Sequence, residues 1–142
     1  MDRSEFRYVH RLRVRWSEVD AQQIVFFPNY LVYCNVGSIE WWRAVGVAYP
    51  GGFEAHGGDL FLKKASIEYH GSARYDDELE IGFRCSRIGN SSLTVSVAVF
   101  RGDELLASVE LTSVFANQQT RRPMPIPVEI RAAIEAFEQR TF

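Results

Sequence analysis

Only two cysteines, Cys34 and Cys85, stand in a chain of 142 residues. Two distant thiols make no disulfide framework, and a pair of reduced, buried side chains in a cytoplasmic protein is expected. Histidine is nearly as scarce. His10, His56 and His70 are scattered and share no metal-ligand spacing with the cysteines, so no metal is expected. Neither sign of charge is in excess: 16 Lys and Arg against 18 Asp and Glu leave a formal net charge of −2. That balance gives nucleic acid no footprint. Pro28, Asn29 and Asn35 interrupt the most apolar stretch, so no membrane span is expected. The opening MDRSEFRYVH is too charged for a signal peptide. G-x-S-x-G, G-x-G-x-x-G, the P-loop and H-E-x-x-H are all absent. A catalyst built on this chain would need no cofactor and would work with carboxylates, backbone dipoles and water.

What is present is ordinary globular material. Hydrophobic residues make up 46 % and charged residues 24 %, which suits one domain over residues 1–142 with its own core. Phe6 to Trp16 alternates with period two and sets basic residues on one face, which predicts a strand half open to solvent. Further strands are predicted over Leu60–His70, Glu78–Ile88, Ser92–Phe100 and Leu105–Ala116. Turn signals at Ala73–Asp77, Gly89-Asn90 and Gly102-Asp103 separate them. Short turns make neighbours antiparallel, so Glu78 to Ala116 reads as a meander. Pro123, Pro125 and Pro127 predict an extended tail, and Pro127 opens a surface helix over Val128–Glu138.

Between the first two strands lies the segment that carries the functional question, Trp16 to Val47. From Asn29 to Val47 its apolar positions cover nearly the whole circumference of a helical wheel, which predicts a buried helix. Asn29 is a candidate N-cap, and Gly46 marks the far end. The expected class is α+β, with the strands wrapping one flank of this helix and a second subunit closing the rest. Just before the helix stands one acid, Asp20, among uncharged neighbours. Asp20 is either a general base or nucleophile beside the free N–H groups of a helix start, or a loop aspartate that caps Gln22 or Gln23. Glu40, the other carboxylate on an apolar background, reads as a structural partner of Arg43.

Four motifs in order add a resemblance. Val19-Asp20-Ala21-Gln22-Gln23-Ile24-Val25-Phe26-Phe27-Pro28-Asn29-Tyr30 resembles the signature of hotdog-fold acyl-CoA thioesterases of the 4-hydroxybenzoyl-CoA thioesterase type, D-x-x-G-I/V-V-[FY]-[HY]-x-N-[YF]. Ala73 to Leu79 resembles that family's A-x-Y-D-D-x-L turn, Gly89 to Ser92 its G-x-S-S turn, and Arg122 to Pro127 its R-P-x-P-I-P tail. The resemblance implies a hotdog fold: a long central helix wrapped by a curved, antiparallel five-stranded sheet, plus a short C-terminal helix. It implies sheets joined edge to edge in a homodimer, and commonly a dimer of dimers. It also makes Asp20 the favoured catalytic residue.

The function implied is hydrolysis of an acyl- or aryl-CoA thioester to free acid and CoA. Asp20 would activate water or attack the thioester, and backbone N–H groups near Gly58 and Asp59 would polarise the carbonyl. This chain departs from the pattern at two positions, with Gln23 where the family has glycine and Phe27 where it has histidine or tyrosine. Gln23 offers an amide donor in exchange; Phe27 offers none. Phe27, Tyr30, Trp41 and Phe61 are candidates for the acyl pocket, and Lys63, Arg87 and Arg122 for the CoA phosphates. Two other functions compete. One is a non-catalytic module binding acyl-CoA or acyl carrier. The other is a hotdog hydratase or dehydratase, whose histidine five residues after the acid is replaced here by Val25.

Overall fold

In the computed structural model, which describes residues 1–142, the period-two segments beyond Glu78 close into a meander. Strands β1 (Tyr8–Arg13), β2 (Gly58–Tyr69), β3 (Glu78–Ile88), β4 (Ser92–Arg101) and β5 (Glu104–Asn117) form one sheet. Helices α1 (Asn29–Val45) and α2 (Val128–Glu138) complete the order, with α1 between β1 and β2 and α2 last. The spatial order is β1-β3-β4-β5-β2, and every pairing is antiparallel. Gly102 sits at φ 58, the left-handed region that a tight β4–β5 connection needs and that glycine adopts without cost. Register shifts at Leu62/Lys64, Cys85/Arg87 and Val99/Phe100 mark bulges, which bend the strands and increase their twist. β2 lies at an edge of the sheet, with Leu62, Lys63, Lys64, Ala65 and Ser66 exposed.

The first strand is shorter than its alternation predicts. Phe6 leaves the ladder to pack edge-to-face on Phe100, at 6.0 Å between ring centroids, and covers the bare backbone of Gly82. At the other end Val14 N–H donates to Asp77 O, and the chain turns through a 3-10 turn at Trp16–Glu18. Competition from these tertiary contacts ends the strand at both sides.

α1 also differs from its expectation. Pro28, not Asn29, occupies the N-cap position, and no side chain caps the helix. Asn29 instead turns its Nδ2 to Glu18 O at 2.9 Å. Gly46 ends the helix in the left-handed region, φ 99, as expected. Within one chain the helix buries a stripe: Tyr30, Tyr33, Cys34, Gly37, Trp41, Trp42 and Val45. The opposite side keeps Val32 and Val36 exposed, so the apolar circumference read from the sequence is only half used by this chain. Gly37 permits the close approach to the sheet, because a Cβ there would lie 2.5 Å from the Phe83 ring.

Trp41, Trp42, Phe53 and Phe115 form the aromatic centre of the core, with Trp42 meeting Phe53 edge-to-face at 4.9 Å. The tail after β5 is extended, as predicted, and bonds to the sheet through Met124 N to Phe115 O and Ile126 N to Asn90 O. α2 then buries Ile130 and Ile134 against the core. Its Glu138 accepts from Cys85 N at 2.8 Å, satisfying a backbone donor freed at the β3 bulge. Glu40 pairs with Arg43 on α1, the structural reading of that acid. No helix is long and apolar enough to cross a membrane.

Candidate active site

Asp20 sits on a loop that closes on itself. Val19 and Val25 form an antiparallel bridge, Asp20 N donates to Ile24 O at 3.0 Å, and Gln23 N donates to Asp20 O at 2.9 Å. So tight a turn needs one residue in the left-handed region, and Gln23 takes it at φ 65. Gln23 thus adopts a backbone that glycine reaches freely, where a side chain costs roughly 1–2 kcal/mol. The Asp20 carboxylate accepts from Gln22 N at 2.8 Å through Oδ1. The capping contact read from the sequence is therefore present. It engages one carboxylate oxygen and leaves Oδ2 without a protein donor, so capping and chemistry are compatible.

A second turn stands beside this loop. Val25 N donates to Ala73 O at 2.8 Å, and Ala73 N donates to the Tyr30 hydroxyl at 3.0 Å. These bonds bring the Ala73–Asp77 turn alongside Asp20. Trp16, Val19, Asp20, Gln23, Arg74 and Tyr75 then line an open cleft of about 430 Å³. Trp16 is 72 % exposed and meets Tyr75 edge-to-face at 5.3 Å. The Arg74 side chain has no ion pair, whereas Arg13, Arg15 and Arg101 nearby are each matched to a carboxylate. The cleft holds one acid, one free cation and two aromatic walls. No histidine lines it; His70 instead bonds Ser108 Oγ at 2.9 Å.

The other residues named from the sequence are dispersed. Tyr30 is 2 % exposed and spends its hydroxyl on Ala73 N, so in this chain it belongs to the core and not to the cleft. Phe27 is 62 % exposed, and its carbonyl accepts from the Tyr69 hydroxyl at 2.8 Å. Phe61 lies under the Arg121 guanidinium, 3.9 Å from the ring centroid, and lines no cavity with Trp41. Lys63, Arg87 and Arg122 are exposed and stand outside the Asp20 cleft.

Gly58 and Asp59 begin β2, whereas Tyr69, which touches Phe27, ends it. Eleven strand steps amount to roughly 36 Å, so one chain does not bring Gly58 to Asp20. Gly58 is also needed for packing, since a Cβ there would meet Ala116 O at 2.6 Å. Near that end is a second, apolar cavity of about 210 Å³, lined by Leu31, Trp41, Trp42, Phe53, Leu60 and Leu62 among others. Trp41 lines this apolar cavity together with Leu60 and Leu62 from the start of β2.

Sequence reasoning missed Glu18, Trp16, Arg74 and Tyr75. Glu18 is 9 % exposed, the one charged side chain among the buried residues. It accepts from Tyr33 Oη at 3.1 Å, and burial, followed by the charge of Glu18, raises the Tyr33 hydroxyl well above its ordinary value. Tyr33 therefore stays a donor. Burial likewise pushes the Cys34 thiol up to about 12, which makes it inert as a nucleophile.

A long helix laid on a five-stranded antiparallel sheet, with a short C-terminal helix, places the chain in the hotdog class. The chain matches the thioesterase-like superfamily over residues 14–134 and belongs to it. By class it is a thioester hydrolase of the 4-hydroxybenzoyl-CoA thioesterase type. It is similar to a putative esterase of Aquifex aeolicus, 31 % identical over 100 residues that span 70 % of this chain and 77 % of that one. It is also similar to a 1,4-dihydroxy-2-naphthoyl-CoA hydrolase of a Synechococcus strain, 27 % identical over 128 residues, 87 % of this chain and 86 % of that one. Among solved structures, a thioesterase of Thermus thermophilus in complex with coenzyme A and zinc superposes with a TM-score of 0.82. It is 25 % identical, with 97 % of this chain and 98 % of that one covered.

Proposed function

We propose that this protein hydrolyses an acyl- or aryl-CoA thioester, with Asp20 as the acid that carries the reaction. The observation behind this reading is the Asp20 carboxylate, held on a closed loop at the mouth of an open cleft with one oxygen uncommitted. In one route the carboxylate takes a proton from water as the water attacks the thioester carbon, a contribution of about 10²–10⁴. In the other it attacks that carbon itself, expelling CoA thiolate, which takes up a proton. Water then cleaves the mixed anhydride to release the acid and restore Asp20. Where water attacks the Asp20 carbonyl of that anhydride, ¹⁸O from labelled water enters the Asp20 side chain, and finding it there during turnover identifies the second route.

Carbonyl polarisation falls to N–H groups, because Phe27 has no donor to offer. The Gln23 amide, which makes no bond inside the protein, is one donor in the cleft. The Gly58–Asp59 backbone of a second copy is another. Twelve residues of β2 lie at the sheet edge, an unpaired row of backbone groups suited to antiparallel addition of the same strand. Pairing about the middle of β2 sets the Gly58 end of one copy against the Tyr69 end of the other, beside Phe27 and the Asp20 loop. The apolar cavity next to Leu60 then receives the acyl or aryl group from the neighbouring copy's Asp20. Val32 and Val36, exposed on α1, are covered in such a homodimer, and a dimer of dimers is compatible with it. Arg74 supplies the cation nearest the reacting centre, and Lys63, Arg87 and Arg122 remain outer candidates for the CoA phosphates.

The test is thiol release over aryl, short-chain and long-chain CoA thioesters, with Asp20→Asn beside the wild type. A fall of 10²-fold or more in kcat is expected for the variant. Full turnover by Asp20→Asn refutes the role of Asp20, and tight binding without turnover on every thioester replaces hydrolysis with a binding function.

A further inference from the structure

A buried carboxylate on a surface loop asks for a reason, because burying an ion is costly unless donors surround it. Glu18 has those donors, and they come from different parts of the chain. Its Oε1 accepts from Arg15 N at 2.7 Å and from Tyr33 Oη at 3.1 Å. Its Oε2 accepts from Arg15 Nε at 3.2 Å and Arg15 Nη2 at 3.1 Å. Its main-chain oxygen accepts from Phe26 N at 2.9 Å and from Asn29 Nδ2 at 2.9 Å. One residue therefore joins the end of the β1 connection, the returning limb of the Asp20 loop, and the first two turns of α1.

The placement is specific. Phe26 and Glu18 lie just outside the Val19–Val25 bridge, so Glu18 closes the base of the loop, and Asp20 stands just inside that bridge, bonded through its N–H to Ile24 O. Tyr33 is 2 % exposed and fixed among core side chains, so the loop is referenced to the rigid helix and not to solvent. The Gln23 backbone works against this closure through its left-handed strain.

We propose that Glu18 is the positioning residue for Asp20, holding the catalytic loop in register with α1 through Tyr33, Arg15, Phe26 and Asn29. This rests on the reading of Asp20 as the reacting acid. Misplacing a reacting group by about 1 Å costs on the order of 10²-fold in rate, and that is the scale on which Glu18 acts.

The experiment measures kcat and KM for Glu18→Ala, Glu18→Gln and Tyr33→Phe, together with amide hydrogen exchange at Asp20, Gln23 and Phe26. Glu18→Ala is expected to lower kcat by between roughly tenfold and 10²-fold with KM nearly unchanged. The three loop amides should exchange at least about tenfold faster, while amides of β3 and β4 keep their protection. Glu18→Gln retains Oε1 as an acceptor for Arg15 N and Tyr33 Oη, so it should recover most of the lost kcat. Tyr33→Phe leaves Glu18 in place and removes one donor. It should lower kcat a few-fold, and it carries the test if Glu18→Ala does not fold. Loop amides and kcat that stay at wild-type values in Glu18→Ala, or in Tyr33→Phe where that variant carries the test, overturn the proposal. Asp20→Asn, measured alongside, separates the two claims. If it turns over like the wild type, the reading of Asp20 has failed; if it is inactive while Glu18→Ala keeps full kcat, only the role of Glu18 has failed.

Discussion

Replacing Gln23 by glycine should make this protein more stable and less active. Gln23 sits at φ 65, is exposed, and makes no side-chain hydrogen bond, so its main energetic signature is backbone strain. Removing the Cβ relieves roughly 1–2 kcal/mol of left-handed cost. Glycine also loosens the unfolded chain, which returns about 0.4–1 kcal/mol. The net gain is about 0.8 kcal/mol. For 142 residues the unfolding entropy is about 0.3 kcal/mol/K, so Tm should rise by about 2–3 °C. Gln23→Val provides the opposite test, because a β-branched residue at positive φ adds strain of about 1 kcal/mol and should lower Tm by about 3 °C. The assay is a thermal melt of the three proteins, paired with thiol release. Loss of the amide donor should lower kcat by about tenfold in Gln23→Gly even as Tm rises. A Tm for Gln23→Gly at or below the wild type would refute the strain argument, and unchanged kcat would remove the amide from the mechanism.

Three further outcomes follow from the packing and the buried groups. Gly37→Ala places a Cβ against the Phe83 ring and should cost about 1–3 kcal/mol, a Tm loss of about 3–10 °C that calorimetry will register. Burial raises the Glu138 carboxyl above its usual 4.5, the bond from Cys85 N notwithstanding. The folded state therefore holds this proton more tightly than the unfolded chain, and Glu138 favours folding most at low pH, losing that contribution as pH rises past 4.5 through the folded value. Melts across that range should show Glu138→Gln, which keeps the acceptor for Cys85 N, gaining on the wild type as pH rises. With both thiols pushed up to about 12, neither Cys34 nor Cys85 should react with iodoacetamide at pH 8 until the protein is unfolded, as mass spectrometry of the labelled chain will show.

Local signals carried the meander and α2 into view from the sequence, because alternation, short turns and Pro127 act over a few residues. The bounds Glu78–Ile88 and Val128–Glu138 coincide with β3 and α2. The pairing of β2 with β5, and not with its neighbour β3, is a long-range event that no turn between Tyr69 and Glu78 announces. α1 was legible as a helix, and one flank is what this chain covers. Its wheel is apolar nearly all round, while this chain supplies cover only along the Tyr30–Trp41 stripe, leaving Val32 and Val36 in the open. Asp20 was singled out by its motif, and the fold sets it at an open cleft. Glu18, two residues earlier, was not, because its meaning lies in donors from Arg15 and Tyr33 that only the fold brings together. Arg74 was hidden in the same way. It resembles any surface arginine until the bond of Val25 to Ala73 draws its turn to Asp20.

The chain has three tryptophans, and the fold separates them by environment. Trp41 and Trp42 are 0 % and 7 % exposed in the core, whereas Trp16 stands 72 % exposed at the rim of the Asp20 cleft. The intrinsic fluorescence is accordingly two signals in one spectrum: a blue, collisionally protected component from the interior and a red, iodide-quenchable one from the mouth of the site. The protein carries its own optical reporter, and shielding of the red component from iodide will follow a molecule entering beside Asp20 without any added label.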